Sequence, residues 1–325
     1  MKEIQENLRK GRFLVLGRAG MDLYPDPAGT KTEYAEKMVA HLGGSSANIA
    51  VALVRHGCAA SIVTSVSDDA IGRFSVNKLK DFGVCTKYVS SVGGEKRTSL
   101  AIVESTIEDH QSVIYRNGAA DFMMSKSDVE SIDLKNYDAV VFTGTMLAAQ
   151  ESRDATAWVL KQADRFGLVK IFDVDFRPYS WESSQQAGEV YTHFAHRSDI
   201  VVGNDDEFAV MAGSKSAGQR LAKKLGCRPR SIVIYKKGSH GAVSFSLDQE
   251  IHTGVFSVKA LKPVGAGDGF MGGFLQSLVN GYDLEGSVVR GSACAAIVVS
   301  RVGCAAAMPS TIELNHFLQQ HNTAA

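Results

Sequence analysis

The sequence has no apolar run approaching the ~20 residues that a bilayer-spanning helix needs. Its first ten residues, Met1 to Lys10, are charged and carry no apolar signal core. With neither feature, the chain is expected to be soluble and cytoplasmic. It also lacks an excess of one charge, because 35 Lys plus Arg stand against 35 Asp plus Glu. That balance excludes a broad nucleic-acid surface but leaves room for a small anion pocket. Cysteine is scarce: Cys58, Cys85, Cys227, Cys294 and Cys304 are five, well separated, with no Cys-x-x-Cys pair. They read as reduced thiols, not as a disulfide framework. His193 and His196 have no third ligand nearby in sequence, which argues against a metal site there. No Gly-x-x-x-x-Gly-Lys-[Ser/Thr] sequence and no protein-kinase signature occurs, so both of those routes to a nucleotide are closed. No internal repeat, low-complexity tract or linker interrupts the chain.

What remains is a rhythm of short apolar β-rich runs and longer helical patterns. Phe13–Gly17, Ala60–Val66, Asp138–Thr143, Lys170–Asp175, Ile200–Gly203 and Ser231–Tyr235 read as buried strands. Ala47–His56, Ile71–Phe82 and Ser152–Phe166 read as helices between them. The alternation predicts an α/β fold, a doubly wound and mostly parallel sheet flanked by helices. Two regions break the rhythm. Thr32–His41 is half-polar, and Arg97–Tyr115 carries two alternating runs, Ser99–Val103 and Ser112–Tyr115, around a polar turn. They predict a small antiparallel β lid inserted from roughly 30–42 and 95–118 into one domain of residues 1–325. At this length a fold buries roughly 75% of its unfolded surface, so stability needs no disulfide or metal.

The most informative stretch is Pro263-Val264-Gly265-Ala266-Gly267-Asp268-Gly269-Phe270. It reads as a strand end, a tight turn of small residues and a helix start. Small residues let backbone approach a ligand, and free N–H groups at a helix start attract anions. A carboxylate beside such a site is repelled by the anion unless its task is to take a proton. The pattern therefore points to phosphoryl transfer onto a hydroxyl, with Asp268 as base. Gly267-x-Gly269-x-x-Gly272 also fits a dinucleotide fingerprint, with Glu285 downstream. That fingerprint opens a first βαβ unit, whereas this one comes after most of the chain has passed. A second cluster, Gly43-Gly44-Ser45-Ser46-Ala47-Asn48-Ile49-Ala50, pairs backbone access with the donor and acceptor of Asn48. It reads equally as a capped helix start.

The two clusters together resemble the two signatures of the ribokinase-like (PfkB) carbohydrate kinases. Gly17–Asp22, Asp173-Val-Asp-Phe-Arg-Pro178, Asn204-Asp-Asp-Glu207 and Lys237-Gly-Ser-His-Gly241 resemble further family segments, in family order. Residues 18–25 and 262–268 are similar to the branch that phosphorylates 5-dehydro-2-deoxy-D-gluconate in inositol breakdown.

The resemblance implies ATP-dependent phosphorylation of the terminal hydroxyl of a keto-deoxy sugar acid. It implies Asp268 as base, and the amides of Gly265, Ala266 and Gly267 as an anion hole. It implies sugar contacts from Asp22, Gly44 and Asn48. A carboxylate substrate needs arginine forks, for which Arg97, Arg116 and Arg177 are candidates. Asn204 and Glu207 are implied to organise Mg²⁺ through water, and the same pair reads as a helix cap with a first-turn acid. Lys237, Gly238, Gly241, Ala293 and Gly303 are implied on the nucleotide side. Many members carry Asp-Thr where this chain has Lys262-Pro263, and that Asp helps bind a monovalent cation. Lys262 is expected to supply this charge instead. The resemblance also implies a homodimer through the lid. Acceptors left open are 2-keto-3-deoxygluconate and fructose, and a non-catalytic sugar or nucleotide sensor remains the alternative of another class.

Overall fold

The computed structural model describes residues 1–247 and 249–322. In chain order its strands are β1 (Arg12–Leu16), β2 (Gly20–Asp26), β3 (Lys37–Gly43), β4 (Ala59–Ser67), β5 (Cys85–Val92), β6 (Leu100–Val103), β7 (Ser112–Tyr115), β8 (Ala139–Thr143), β9 (Val169–Asp173), β10 (Ile200–Asn204), β11 (Ile232–Lys236), β12 (Ala242–Ser246) and β13 (Gln249–Thr253). Nine form one sheet in the order β13-β12-β11-β10-β9-β8-β1-β4-β5. Pairing is parallel from β5 across to β11 and antiparallel for the β11-β12-β13 meander at the edge.

The parallel strands are apolar on both faces because helices cover both. Phe13 and Val15 enter one layer with Ala50, Leu53, Met271 and Phe274 from the helices Ser45–Arg55 and Ala266–Val279. Leu14 and Leu16 enter the opposite layer with Val159, Leu160, Phe194 and Leu225. After β1 the chain moves outward to β4 and β5, then returns to β8 on the other side of β1. Strand order therefore reverses between β1 and β8, and a crevice opens beyond the carboxyl ends there.

The lid is a second sheet in the order β3-β2-β6-β7. Two details depart from the sequence reading. Asp22 sits inside β2, a lid strand that lies outside the predicted lid segments 30–42 and 95–118. The lid is also mixed, since β2 pairs antiparallel with β3 but parallel with β6. A third departure lies before the informative turn. No strand precedes Pro263, and residues 254–265 run as irregular chain from the sheet edge back towards its centre. The amides of Leu261 and Lys262 both reach Val299 O, at the end of the helix Leu284–Val299. No helix among the described residues is long and apolar enough to cross a membrane.

Candidate active site

The helix Ala266–Val279 begins at Gly265, whose φ of 87° is a left-handed conformation open to glycine. Its ladder starts with Gly269 N–H donating to Gly265 O at 3.0 Å, so the preceding amides have no intrahelical partner. Asp268 lies in that first turn and is partly buried. Its Oδ2 accepts from Asn48 Nδ2 at 2.8 Å. Burial and the nearby Asp175 push its carboxyl up to about 7, against the pull of Asn48, Arg177 and Lys236. A base with a pKa near the working pH is well matched to proton transfer from an alcohol.

Two acceptors beside Asp268 are orphaned. Asn48 Oδ1 and Asp22 Oδ1 are buried and have no hydrogen-bond partner. Buried polar atoms of this kind call for a partner, either water or a ligand. Burial raises the Asp22 carboxyl, opposed by Arg18 and Lys262. The paired glycines permit this packing. A Cβ on Gly43 would fall 1.8 Å from Asp22 Oδ1, and one on Gly44, at φ 100°, would fall 2.3 Å from Arg18 O. The Gly-Gly step thus admits the Asp22 carboxylate and seats the helix Ser45–Arg55 against the β1–β2 turn.

Beyond β9 and β11 lies a group of buried carboxylates. Asp175, at φ 36°, accepts from Ser45 Oγ at 2.6 Å and pairs with Arg177 at 2.7 Å. Burial opposes its charge, yet Arg177, Ser45, Arg18 and Arg116 hold it below the usual carboxylate range. Asp173 is pushed well above that range by burial, with Asp175, Glu207 and Asp268 adding to the shift. Lys236 opposes the upward shifts of Asp173, Glu207 and Asp268, joined at the last two by Arg177. It ends β11, and a Cβ on Gly267 would lie 3.4 Å from its Nζ. Sequence reasoning placed the nucleotide-side cation one residue later, at Lys237. The signal that finds Lys236 is its position as a basic residue closing a buried strand at the crevice.

The structure brings together Asp22, Gly44, Asn48, Arg116, Arg177 and Asp268, with Gly265, Ala266 and Gly267 at the turn. Arg116 is buried against Asp121 and donates to Thr145 O at 3.1 Å. Arg97 is not among them. Its side chain is 59% exposed and its guanidinium donates to Gly94 O and Lys96 O of its own loop. Asn204 and Glu207 form a capping box: Asn204 Oδ1 accepts from Glu207 N–H at 2.9 Å, and Glu207 Oε2 from Asn204 N–H at 2.6 Å. Lys237 lines an outer groove with Asp205, Lys215 and Tyr235. Gly241 faces β13, where a Cβ would strike Thr253 O at 1.9 Å, and Gly238 opens the adjoining 3-10 turn. Ala293 is fully buried in a cluster with Leu314 and Phe256. Gly303 packs against the His41 ring. Lys262 is fully enclosed, with Nζ 2.7 Å from Val264 O and 3.3 Å from Val298 O.

A carboxylate at a helix start, amides without intrahelical partners and two orphaned acceptors thus meet in the switch-point crevice. Residues 10–311 match the model of the pfkB family carbohydrate kinases, and the chain belongs to that family. It is a carbohydrate kinase. It is 36% identical over 311 residues to the 5-dehydro-2-deoxygluconokinase of Photobacterium profundum, covering 94% of each chain. With the enzyme of that name from Geobacillus kaustophilus it shares 30% over 318 residues, 96% of this chain and 95% of that one. Among solved structures, a putative ribokinase II from E. coli in complex with ATP and Mg²⁺ superposes with a TM-score of 0.85 at 21% identity, covering 96% of this chain and 100% of that one. A Vibrio cholerae fructokinase in a fructose, ADP and potassium ion bound form gives 0.82 at 24%, covering 95% and 99%.

Proposed function

We propose that this kinase transfers the γ-phosphoryl group of ATP to the terminal hydroxyl of 5-dehydro-2-deoxy-D-gluconate, in the cytoplasm, as a step of inositol breakdown. The observation that carries the chemistry is Asp268, raised to about 7, fixed by Asn48 at a helix start with unpartnered amides. Asp268 takes the hydroxyl proton as the acceptor oxygen bonds to phosphorus and the β–γ bridge breaks to release ADP. Such base assistance is worth about 10²–10⁴-fold. The amides of Gly265, Ala266 and Gly267, with Lys236 beside them, face the charge that develops on the transferring group. Asp22, Gly44 and Asn48 hold the sugar, the orphaned oxygens of Asp22 and Asn48 accepting from its hydroxyls. Arg116 and Arg177 lie on the side suited to the acid group. Asn204, Lys237, Gly238, Gly241 and Gly303 flank the nucleotide.

Mg²⁺ supplies charge neutralisation on the phosphates when bound. Among the described residues no three His, Cys, Asp or Glu side chains converge on a metal position. The ion therefore fits as one carried by phosphates and water, with Asn204 and Glu207 in its outer sphere. The deciding assay measures ADP release with 5-dehydro-2-deoxygluconate, 2-keto-3-deoxygluconate and fructose, for wild type and Asp268→Asn. The first acceptor should be preferred, and the variant should bind both ligands while turnover falls at least about a hundredfold. Equal rates on fructose, or an active variant, would sink the reading.

A further inference from the structure

Three guanidinium groups converge on one wall of the crevice, those of Arg18, Arg116 and Arg177. The half-exposed Tyr179 hydroxyl feels all three, in the order Arg177, Arg18, Arg116. Two of them have carboxylate partners, Arg177 on Asp175 and Arg116 on Asp121. Arg18 differs. It is 8% exposed, and its hydrogen-bonding partner among the described residues is a neutral hydroxyl, Ser99 Oγ at 2.9 Å from Nη1. It makes no ion pair there, although its charge acts on Asp22 and Asp175. Arg116 adds unused capacity, since its Nε and Nη1 are buried without partners. Asp175 and Asp121 are thus each matched by one arginine, and Arg18 is the one left over. A buried arginine without an anion is costly, and its planar fork matches a carboxylate.

We infer that Arg18 is the specificity-determining residue for an anionic acceptor. Its free guanidinium edge, beside the unpartnered nitrogens of Arg116, receives the substrate carboxylate and so gains the anionic partner that Arg18 lacks. Asp22, four residues on in β2, then meets the hydroxyls of the same molecule. This rests on the sugar-acid reading above and adds the residue that enforces it.

The test compares kcat/KM for 5-dehydro-2-deoxygluconate with that for its primary amide, which keeps every hydroxyl and removes the charge. Wild type should favour the acid at least about a hundredfold, by loss of a charge-assisted pair in the amide. Arg18→Met should bring that ratio to within about threefold of unity, mainly through KM on the acid, with the amide nearly unaffected. Arg18→Lys should keep an intermediate ratio, and ATP binding by calorimetry should be unchanged in both variants, which reports an intact fold. If wild type shows no preference for the acid, the sugar-acid reading fails. If wild type prefers the acid and both variants keep the full ratio, that reading stands and the role of Arg18 is overturned. Loss of ATP binding in both variants would assign Arg18 to folding and overturn it too.

Discussion

Asp268 and Asp175 illustrate how one side chain sets the chemistry of another. Burial raises Asp268, Asp175 raises it further, and Asn48, Arg177 and Lys236 pull it back, leaving it at about 7. A base acts in its ionised form, so kcat/KM should fall as pH drops through about 7 and level off above it. Removing the Asp175 charge leaves Arg177 unpaired and lowers the Asp268 pKa. The acid limb of Asp175→Asn should therefore move to lower pH by about half a unit or more, whatever the loss in overall rate. An unshifted limb in a pH–rate profile would show that the limb belongs to another group. Asp268 was legible in the sequence because a carboxylate next to a glycine turn has few other reasons to be there. Arg18, Lys236 and the raised Asp173 were not. Each is an ordinary residue at a strand end or turn, and its role depends on neighbours from distant segments.

Among the elements, the turn Lys262–Gly267 carries the most consequence. An ammonium buried completely, with two backbone carbonyls as acceptors, is an internal cation held beneath an anion-binding turn. Burial lowers its pKa, while Cys304, Asp268 and Asp22 work to keep it charged. We therefore expect K⁺ added at constant ionic strength to change the rate by much less than about tenfold, with carbonyls already satisfied by Nζ. A tenfold activation would mean that Lys262 does not fill that role. The apolar runs announced six of the seven parallel strands to within two residues, because strands buried on both faces are continuously apolar, and missed β5, which is only partly buried at the sheet edge. β2 was hidden by its closeness to β1, although Met21, Leu23 and Pro25 alternate with Asp22, Tyr24 and Asp26. The glycine turn read as following a strand end, but the chain before it returns from the edge strand β13 to the middle of a sheet whose strands are already paired on both sides.

For the whole molecule, the lid has two unlike faces. One cross-strand row, His41–Asp22–Ala101–Ile114, includes the site aspartate. The alternate row, Ala40–Leu23–Ile102–Val113, is apolar, and Met38, Val113 and Tyr115 on that face are 37%, 47% and 60% exposed. An apolar outer face on a sheet with free edges at β3 and β7 is a surface suited to a second copy. We propose a homodimer through the lids. Sedimentation should give twice the 34.9 kDa chain mass, and Val113→Glu with Tyr115→Glu should return the monomer. A wild-type monomer at micromolar concentration would dispose of the idea.

Periodicity was enough to establish the sheet class, and two glycine clusters were enough to single out a turn and a carboxylate for the proposed phosphoryl transfer, because these depend on local spacing alone. Which charges meet was decided only in three dimensions. Arg18 with Asp22, then Asp175, Lys236 and Asp268 lie on four separate segments that the fold brings to one crevice. The raised carboxyls of Asp22 and Asp268 and the unfilled hydrogen bond of Asp22 follow from burial, and burial is a property of the packed chain.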